Sequence, residues 1–251
     1  MVLDIFDAKN VKQKIVEWIS DYFKTDATQN TKAVIGISGG KDSSIAAALC
    51  VEALGKERVL GVLMPDGEQY DIDVSYDLCK TLDIAYIEIN IKEPVRTLYN
   101  EIEQAGLELN NIAAFNTPAR IRMTTLYAIS GIVGGRVANT SNLSEDWVGY
   151  ATKFGDSAGD FGPLSSLTVT EIKAIGNELG LASRFVDKVP IDGLCGKTDE
   201  DNLGFSYAVL DRYIREGICD DEHIKEMIDR LHKMSLHKVH PMPVFKLTTK
   251  D

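Results

Sequence analysis

The run Gly36-Ile37-Ser38-Gly39-Gly40-Lys41-Asp42-Ser43-Ser44 is the part of the chain whose residue types and spacing point most sharply to chemistry. Glycine lets a backbone turn tightly and come close to a ligand. The run stands just before a segment of helical pattern. The N–H groups of a helix start therefore point at whatever the run holds, and the helix dipole favours an anion there. Ser38, Ser43 and Ser44 offer hydroxyls to phosphate oxygens, and Lys41 offers charge from the rim. The spacing is not G-x-x-x-x-G-K-[ST], because Asp42 follows Lys41, and it is not G-x-G-x-x-G either. A carboxylate at Asp42 would repel phosphates unless a hard cation such as Mg²⁺ lay between them. The run thus predicts a metal-bound nucleotide.

Other reactive residue types give weaker signals. Cys50, Cys79, Cys195 and Cys219 contain no C-x-x-C and read as free thiols in a reducing compartment. All four histidines lie between His223 and His240, where a surface helix and tail are expected rather than a metal cluster. No Ser-His-Asp arrangement is readable.

The elements that must position the run follow from hydrophobic periodicity. Helical spacing covers 11–23, 42–54, 71–82, 93–105 and 117–132, and buried-type strands cover 33–37, 58–64, 84–89 and 136–139. Such alternation indicates an α/β fold with a parallel sheet covered on both faces. In that doubly wound design, ligands bind beyond the carboxyl ends of the strands, at the switch point. Those ends carry Ser38-Gly39-Gly40, Pro65-Asp66, Asn90 and Asn139-Thr140-Ser141-Asn142. Beyond Tyr150 come a structured glycine–aspartate loop over 154–163 and a helix over 170–179. A long polar loop over 189–204 follows, of the kind that forms lids, and then helices over 207–216 and 221–234.

S-G-G-x-D-S at the end of a first strand resembles the pyrophosphate loop of the N-type ATP pyrophosphatases, and later segments resemble the NAD synthetases within that group. The matching stretches are Asn116-Thr117-Pro118-Ala119-Arg120-Ile121-Arg122-Met123 with Tyr127, Asn139 to Glu145, and Gly149-Tyr150-Ala151-Thr152-Lys153-Phe154-Gly155-Asp156 with Asp160. Lys188-Val189-Pro190, Thr198 to Gly204 and His237-Lys238 continue the match. The resemblance runs in order from about Ile35 to Lys238. It implies one domain over 1–251 with a Rossmann-like fold of the adenine nucleotide alpha hydrolase type. It also implies a C–N ligase that amidates deamido-NAD with ammonia through an adenylate, releasing AMP and pyrophosphate, and a homodimer whose acid substrate lies at the interface. The helix over 117–132 is the candidate interface element.

The resemblance assigns ATP binding to Gly36, Ile37, Ser38, Gly39, Gly40, Lys41, Asp42, Ser43, Ser44 and Thr140, with Arg120 a further nucleotide contact. It assigns Mg²⁺ to Asp42 and Glu145. It assigns deamido-NAD to Asn116, Arg120, Tyr127, Lys153, Asp160, His237 and Lys238. Lys153 would neutralise charge as the carboxylate nears the α-phosphate, and Asp156 would take a proton from ammonium. Arg122 stands two residues from Arg120, on another helical face, so a structural salt bridge is expected for it. Lys188, Asp199, Glu200 and Lys238 are candidate closing residues. The family lysine near Val169 is absent, which leaves Lys173 or Lys197 to replace it. Pro190-Ile191-Asp192-Gly193-Leu194 also departs from the family pattern.

A formal net charge of -11 disfavours a nucleic-acid partner. No apolar run reaches spanning length, so no membrane partner and a cytoplasmic location are expected. Two rival readings are an ATP pyrophosphatase acting on another carboxylate or a tRNA base, and a nucleotide-binding module without turnover.

Overall fold

The computed structural model describes residues 6–28, 30–188 and 198–247. Its centre is a four-stranded sheet of β1 (Lys32–Gly36), β2 (Val59–Leu63), β3 (Ala85–Glu88) and β4 (Gly135–Val137), in the order β3-β2-β1-β4. Every pairing is parallel. Successive connections run outward from β1 to β3, and the chain then returns to place β4 on the other side of β1. The switch point of this doubly wound sheet is therefore the crevice between β1 and β4.

Alternate strand residues feed two cores. Ala33, Ile35, Val59 and Leu63 pack against α1 (Ala8–Thr25), α2 (Lys41–Leu54), α3 (Ile72–Leu82), α7 (Val169–Glu178) and α8 (Ser183–Val186). Val34, Leu60, Val62 and Val137 pack against α4 (Lys92–Gln104) and α5 (Asn111–Val133). A third cluster joins α6 (Leu143–Val148), α9 (Asp199–Leu203), α10 (Tyr207–Glu216) and α11 (Glu222–Val239).

Helix α5 begins six residues before the sequence pattern places it. Asn110 caps it by accepting from the Ala113 N–H at 2.9 Å. Pro118 lies inside this helix and has no N–H for the Ala114 carbonyl. Tyr99 supplies the missing donor, its hydroxyl reaching that carbonyl at 2.9 Å. The last helix runs on to Val239 rather than ending near 234. Helix α6 lies in a stretch to which the periodicity assigns no element, and α9 interrupts the stretch over 189–204 that reads as a loop. Their N-caps, Asn142 and Thr198, were legible residue types set in runs too short for periodicity.

Burial pushes the Cys50 thiol up to about 12 and the Cys79 thiol up to about 11. Neither can serve as a nucleophile near neutrality, because the thiolate is the reactive form. A maleimide added to the native protein should label Cys219 and leave Cys50 and Cys79 unlabelled until denaturant is added. Peptide mapping by mass spectrometry reads this out.

Candidate active site

The phosphate-type run folds as a tight link from β1 into α2. Gly39 takes φ 73°, and a Cβ there would meet Ser75 Oγ at 3.0 Å and Val74 Cβ at 3.2 Å. Gly40 is the N-cap of α2 and supplies no side-chain cap, so the helix start faces its ligand side uncovered. Ser38 Oγ lies 3.1 Å from Ser43 Oγ and accepts from the Gly40 N–H at 3.3 Å. A cavity of about 130 Å³ opens here, lined by Ser38, Gly40, Asp42 and Ser43 of this link. Thr140 and Ser141 beyond β4, Glu145 of α6, and Asp156 complete its wall. The lining is thus built across the β1–β4 crevice.

Five of the expected ATP contacts between Gly36 and Ser44 do not line this cavity, Gly39 among them, since it forms the turn itself. Gly36 ends β1, and the Ile37 N–H continues the sheet by donating to the Val62 carbonyl while its side chain lies in the core. Ser44 is fully buried and donates to the Gly40 carbonyl at 2.8 Å, closing the first turn of α2. Lys41 is not at the rim: only 3% of it is exposed. The turn at Gly39–Gly40 rotates residue 41 inward.

Lys41 is the centre of an acidic cluster. Its Nζ lies 2.8 Å from Asp42 Oδ2, 3.5 Å from Glu145 Oε1 and 5.7 Å from the centre of the Tyr207 ring. Asn142 Nδ2 donates to Asp42 Oδ1 at 3.1 Å, and its Oδ1 accepts from the Glu145 N–H at 3.0 Å. One asparagine therefore ties the Asp42 carboxylate to the backbone of Glu145. Desolvation lowers the affinity of Lys41 for its proton, but Asp42 and then Glu145 more than reverse this, so the ammonium is held charged well above the usual lysine range. Burial, then repulsion from Asp42, raises the Glu145 carboxyl above the usual carboxylate range, while Lys41 opposes the rise. Asp199 also faces this cluster, with its carboxylate 3.3 Å from the Tyr207 hydroxyl.

Two carboxylates close enough to share one ammonium form a hard-oxygen donor set that suits Mg²⁺. Among the described residues no group of three His, Cys, Asp or Glu side chains is placed to hold a metal. The donor set fits Mg²⁺ only when phosphate and water oxygens complete the shell.

A second cavity of about 360 Å³ adjoins the glycine–aspartate loop, with Asn139, Asp146, Asp160, Phe161 and Lys238 in its lining. The Asn139 amide donates to the carbonyls of Asp156 and Ala158 at 3.0 and 3.1 Å, so it stands between the two spaces. Gly159 lets that strand edge close, since a Cβ on it would come within 2.7 Å of Asn139 N.

Of the seven residues expected to meet deamido-NAD, Asp160 and Lys238 line this cavity. Tyr127 donates to Asp160 Oδ1 at 3.4 Å, and Asp160 Oδ2 accepts from the Val137 N–H at 2.7 Å. Thr152 Oγ1 donates to Asn116 Oδ1 at 2.8 Å, and Arg120 Nε donates to the Lys153 carbonyl at 3.2 Å. Lys153 Nζ donates to the His237 carbonyl at 2.7 Å, and Lys238 Nζ to the carbonyls of Gly149 and Ala151. The end of α11 is thereby strapped to the loop by two lysines. Burial raises the Asp156 carboxyl, and hydrogen bonds from Thr152 oppose the rise.

Several expectations need correction. Instead of a salt bridge, Arg122 Nε donates to the Met64 carbonyl just past β2, at 3.0 Å. Lys173 lies on the surface, 3.9 Å from Asp187, and Val169 is buried in the third cluster. Among the described residues, Lys41 is the lysine that the fold brings to Asp42 and Glu145. Lys188 pairs with Asp71, and Glu200 accepts from the Tyr207 N–H, so these two hold elements together here. The stretch 189–197, with Lys197, Cys195 and Pro190-Ile191-Asp192-Gly193-Leu194, lies outside the described residues.

Asp146 was not singled out from the sequence. Its carboxyl, pushed up to about 6 by burial and by Asp156, lines the second cavity. The only signal was an acid following Glu145 in the Ser144-Glu145-Asp146 run.

A family model described as NAD synthase matches residues 11–249. An NH₃-dependent NAD⁺ synthetase of Pyrococcus furiosus is 38% identical over 240 residues, covering 90% of this chain and 91% of that protein. The solved NMN synthetase of Francisella tularensis superposes with a TM-score of 0.88 at 30% identity, covering 97% of this chain and 100% of that one. The solved NH₃-dependent NAD synthetase of Campylobacter jejuni gives 0.77 at 28% identity, covering 96% and 100%.

Gly39→Ala should cost about 1–2 kcal/mol from the left-handed backbone alone, with more from the approach to Ser75. Urea denaturation measures that loss, and ATP affinity by calorimetry should fall with it.

Proposed function

The chain belongs to the NAD synthase family and has the ammonia-dependent, ATP-consuming ligase activity of its relatives, and from that premise we propose where each step takes place. The observation that carries the reading is the polar cavity at the end of β1, walled by Asp42 and Glu145 on one side and Asp156 on another. The pyrophosphate end of ATP fits the cradle of Ser38, Gly40 and Ser43, under the start of α2. Asp42 and Glu145 would hold Mg²⁺, which would supply charge neutralisation for the leaving pyrophosphate.

The carboxylate oxygen of deamido-NAD attacks the α-phosphorus, and the bond from that phosphorus to the bridging oxygen breaks, releasing pyrophosphate. The acid end enters from the second cavity, where Asp160 and Lys238 stand. Asn116, Arg120 and Tyr127 border that approach from α5. Lys153, released from the His237 carbonyl, offsets charge as the two anions meet. Ammonium then gives a proton to Asp156, and ammonia attacks the acyl carbon. The C–N bond forms, the nitrogen gives its second surplus proton to solvent, the C–O bond to AMP breaks, and NAD⁺ and AMP leave. A raised Asp156 carboxyl is better suited to accept that proton.

We infer a second copy of the chain as partner, with α5 as the candidate interface element. Ile132, 83% exposed, and Ile112, Phe115 and Tyr127 lie open along α5. An apolar surface of this kind marks a protein interface, and a homodimer is the occupant we infer. We read the chain as one domain, and we place it in the cytoplasm with its ATP. Among the described residues no helix is long and apolar enough to cross a membrane.

A second reading, amidation of the acid mononucleotide, is favoured by the higher TM-score to the Francisella NMN synthetase, 0.88 against 0.77. Competition between the two acids in one reaction vessel decides between them by the ratio of amide products.

Mass spectrometry of a reaction with ATP, deamido-NAD and ¹⁵N-ammonium should show labelled NAD⁺ and AMP in equal amounts; ADP as product would overturn the scheme. Asp156→Asn should lower kcat by about 10²–10⁴-fold while leaving ATP affinity near that of the parent. Ile132→Glu should move the sedimentation coefficient from dimer to monomer without loss of helical signal.

A further inference from the structure

Lys41 stands where electrostatics least favour a lysine. It occupies the first turn of α2, where the helix dipole repels cations, and only 3% of it is exposed. Burying an ammonium costs several kcal/mol unless anions compensate. Asp42, Glu145 and, at longer range, Asp199 provide that compensation, and the face of the Tyr207 ring adds to it. Conversely, Asp42 and Glu145 would repel each other at this spacing without a cation between them. The phosphate cavity lies directly beside them and shares both acids in its wall.

We propose that Lys41 is the resident counter-ion of the Asp42–Glu145 pair, a positioning residue that holds the two acids together in the free enzyme and yields them to a divalent ion only when nucleotide enters. This rests on the reading of Asp42 and Glu145 as the metal seat. A divalent ion arriving alone must break a buried ion pair and leave the ammonium without an anion. A nucleotide arriving with it places phosphates beside Lys41, so the displaced ammonium gains a new partner. Metal and nucleotide affinities are therefore coupled, and by linkage each strengthens the other equally. The enzyme without nucleotide has little affinity for the free ion.

The test is Mn²⁺ binding followed by the electron paramagnetic resonance signal of the free ion. It uses the full-length parent, Lys41→Met, Glu145→Gln and the double variant, each with and without α,β-methylene-ATP. In the parent, the nucleotide should tighten Mn²⁺ binding by at least about tenfold. Lys41→Met should bind Mn²⁺ without nucleotide at least about tenfold more tightly than the parent, and adding Glu145→Gln should abolish the gain. If Lys41→Met binds no more tightly than the parent while Glu145→Gln still weakens nucleotide-linked binding, the counter-ion role falls and the metal seat stands. If Glu145→Gln changes nothing in either background, the seat itself is wrong and the proposal falls with it. Should Lys41→Met fail to fold, the parent answers through ¹³Cε-lysine NMR, with the Lys41 signal assigned by its loss in Lys41→Arg. That signal should stay in place with Mg²⁺ alone and shift with Mg²⁺ and the nucleotide analogue together. A shift with Mg²⁺ alone, or none with both, overturns the proposal.

Discussion

Asp42 and Glu145 are held within reach of one buried ammonium at the crevice between β1 and β4, and the rest of the site is arranged around that balance of charge. Leaving either acid buried without a cation would cost several kcal/mol. The surrounding elements therefore act on the same cluster. Asn142 caps α6 through the Glu145 N–H and orients the Asp42 carboxylate, and Tyr207 at the start of α10 covers the ammonium and hydrogen-bonds Asp199. Ser144 and Thr170 bind Asp211 from behind, tying α6 and α7 to α10. Negative charge gathered this tightly is tolerable only where a cation is always present, whether lysine or metal.

The sheet order sets the place. Because β1 is flanked by β2 and β4, the loop after β1 opens into a gap that no connection crosses. Residues from three separate parts of the chain then meet there: the glycine link, the segment after β4, and the glycine–aspartate loop. Asn139 separates the phosphate side from the larger cavity, while Asp156 and Asp160 of one loop serve opposite sides of it. Two reactants can thus approach one another from different spaces, which is what joining a carboxylate to a nucleotide requires.

Much of this was legible in the sequence. Strand and helix alternation gave the parallel sheet, and the glycine run fell where expected, between the first strand and the helix after it. What sequence could not give was side-chain direction at a tight turn. Lys41 reads as a rim lysine, yet the left-handed Gly39 turns it into the acid cluster. Ser44 reads as a phosphate donor, yet its hydroxyl is consumed by the Gly40 carbonyl. Helix α6 was hidden because six residues carry no period, although Asn142 is a good cap. The spacing starts the helix at 117, yet Pro118 sits inside α5, because Tyr99, distant in sequence, satisfies the carbonyl that proline leaves open. Each miss depends on a partner that no local pattern can name.

The most direct measurement is a crystal structure with Mn²⁺ and α,β-methylene-ATP, with the metal located by anomalous scattering. The expected map has the Mn²⁺ peak bonded to carboxylate oxygens of both Asp42 and Glu145, with the terminal phosphates lying in the Ser38–Ser43 cradle. A peak bound elsewhere, or a nucleotide whose phosphates avoid that cradle, would contradict the central claim.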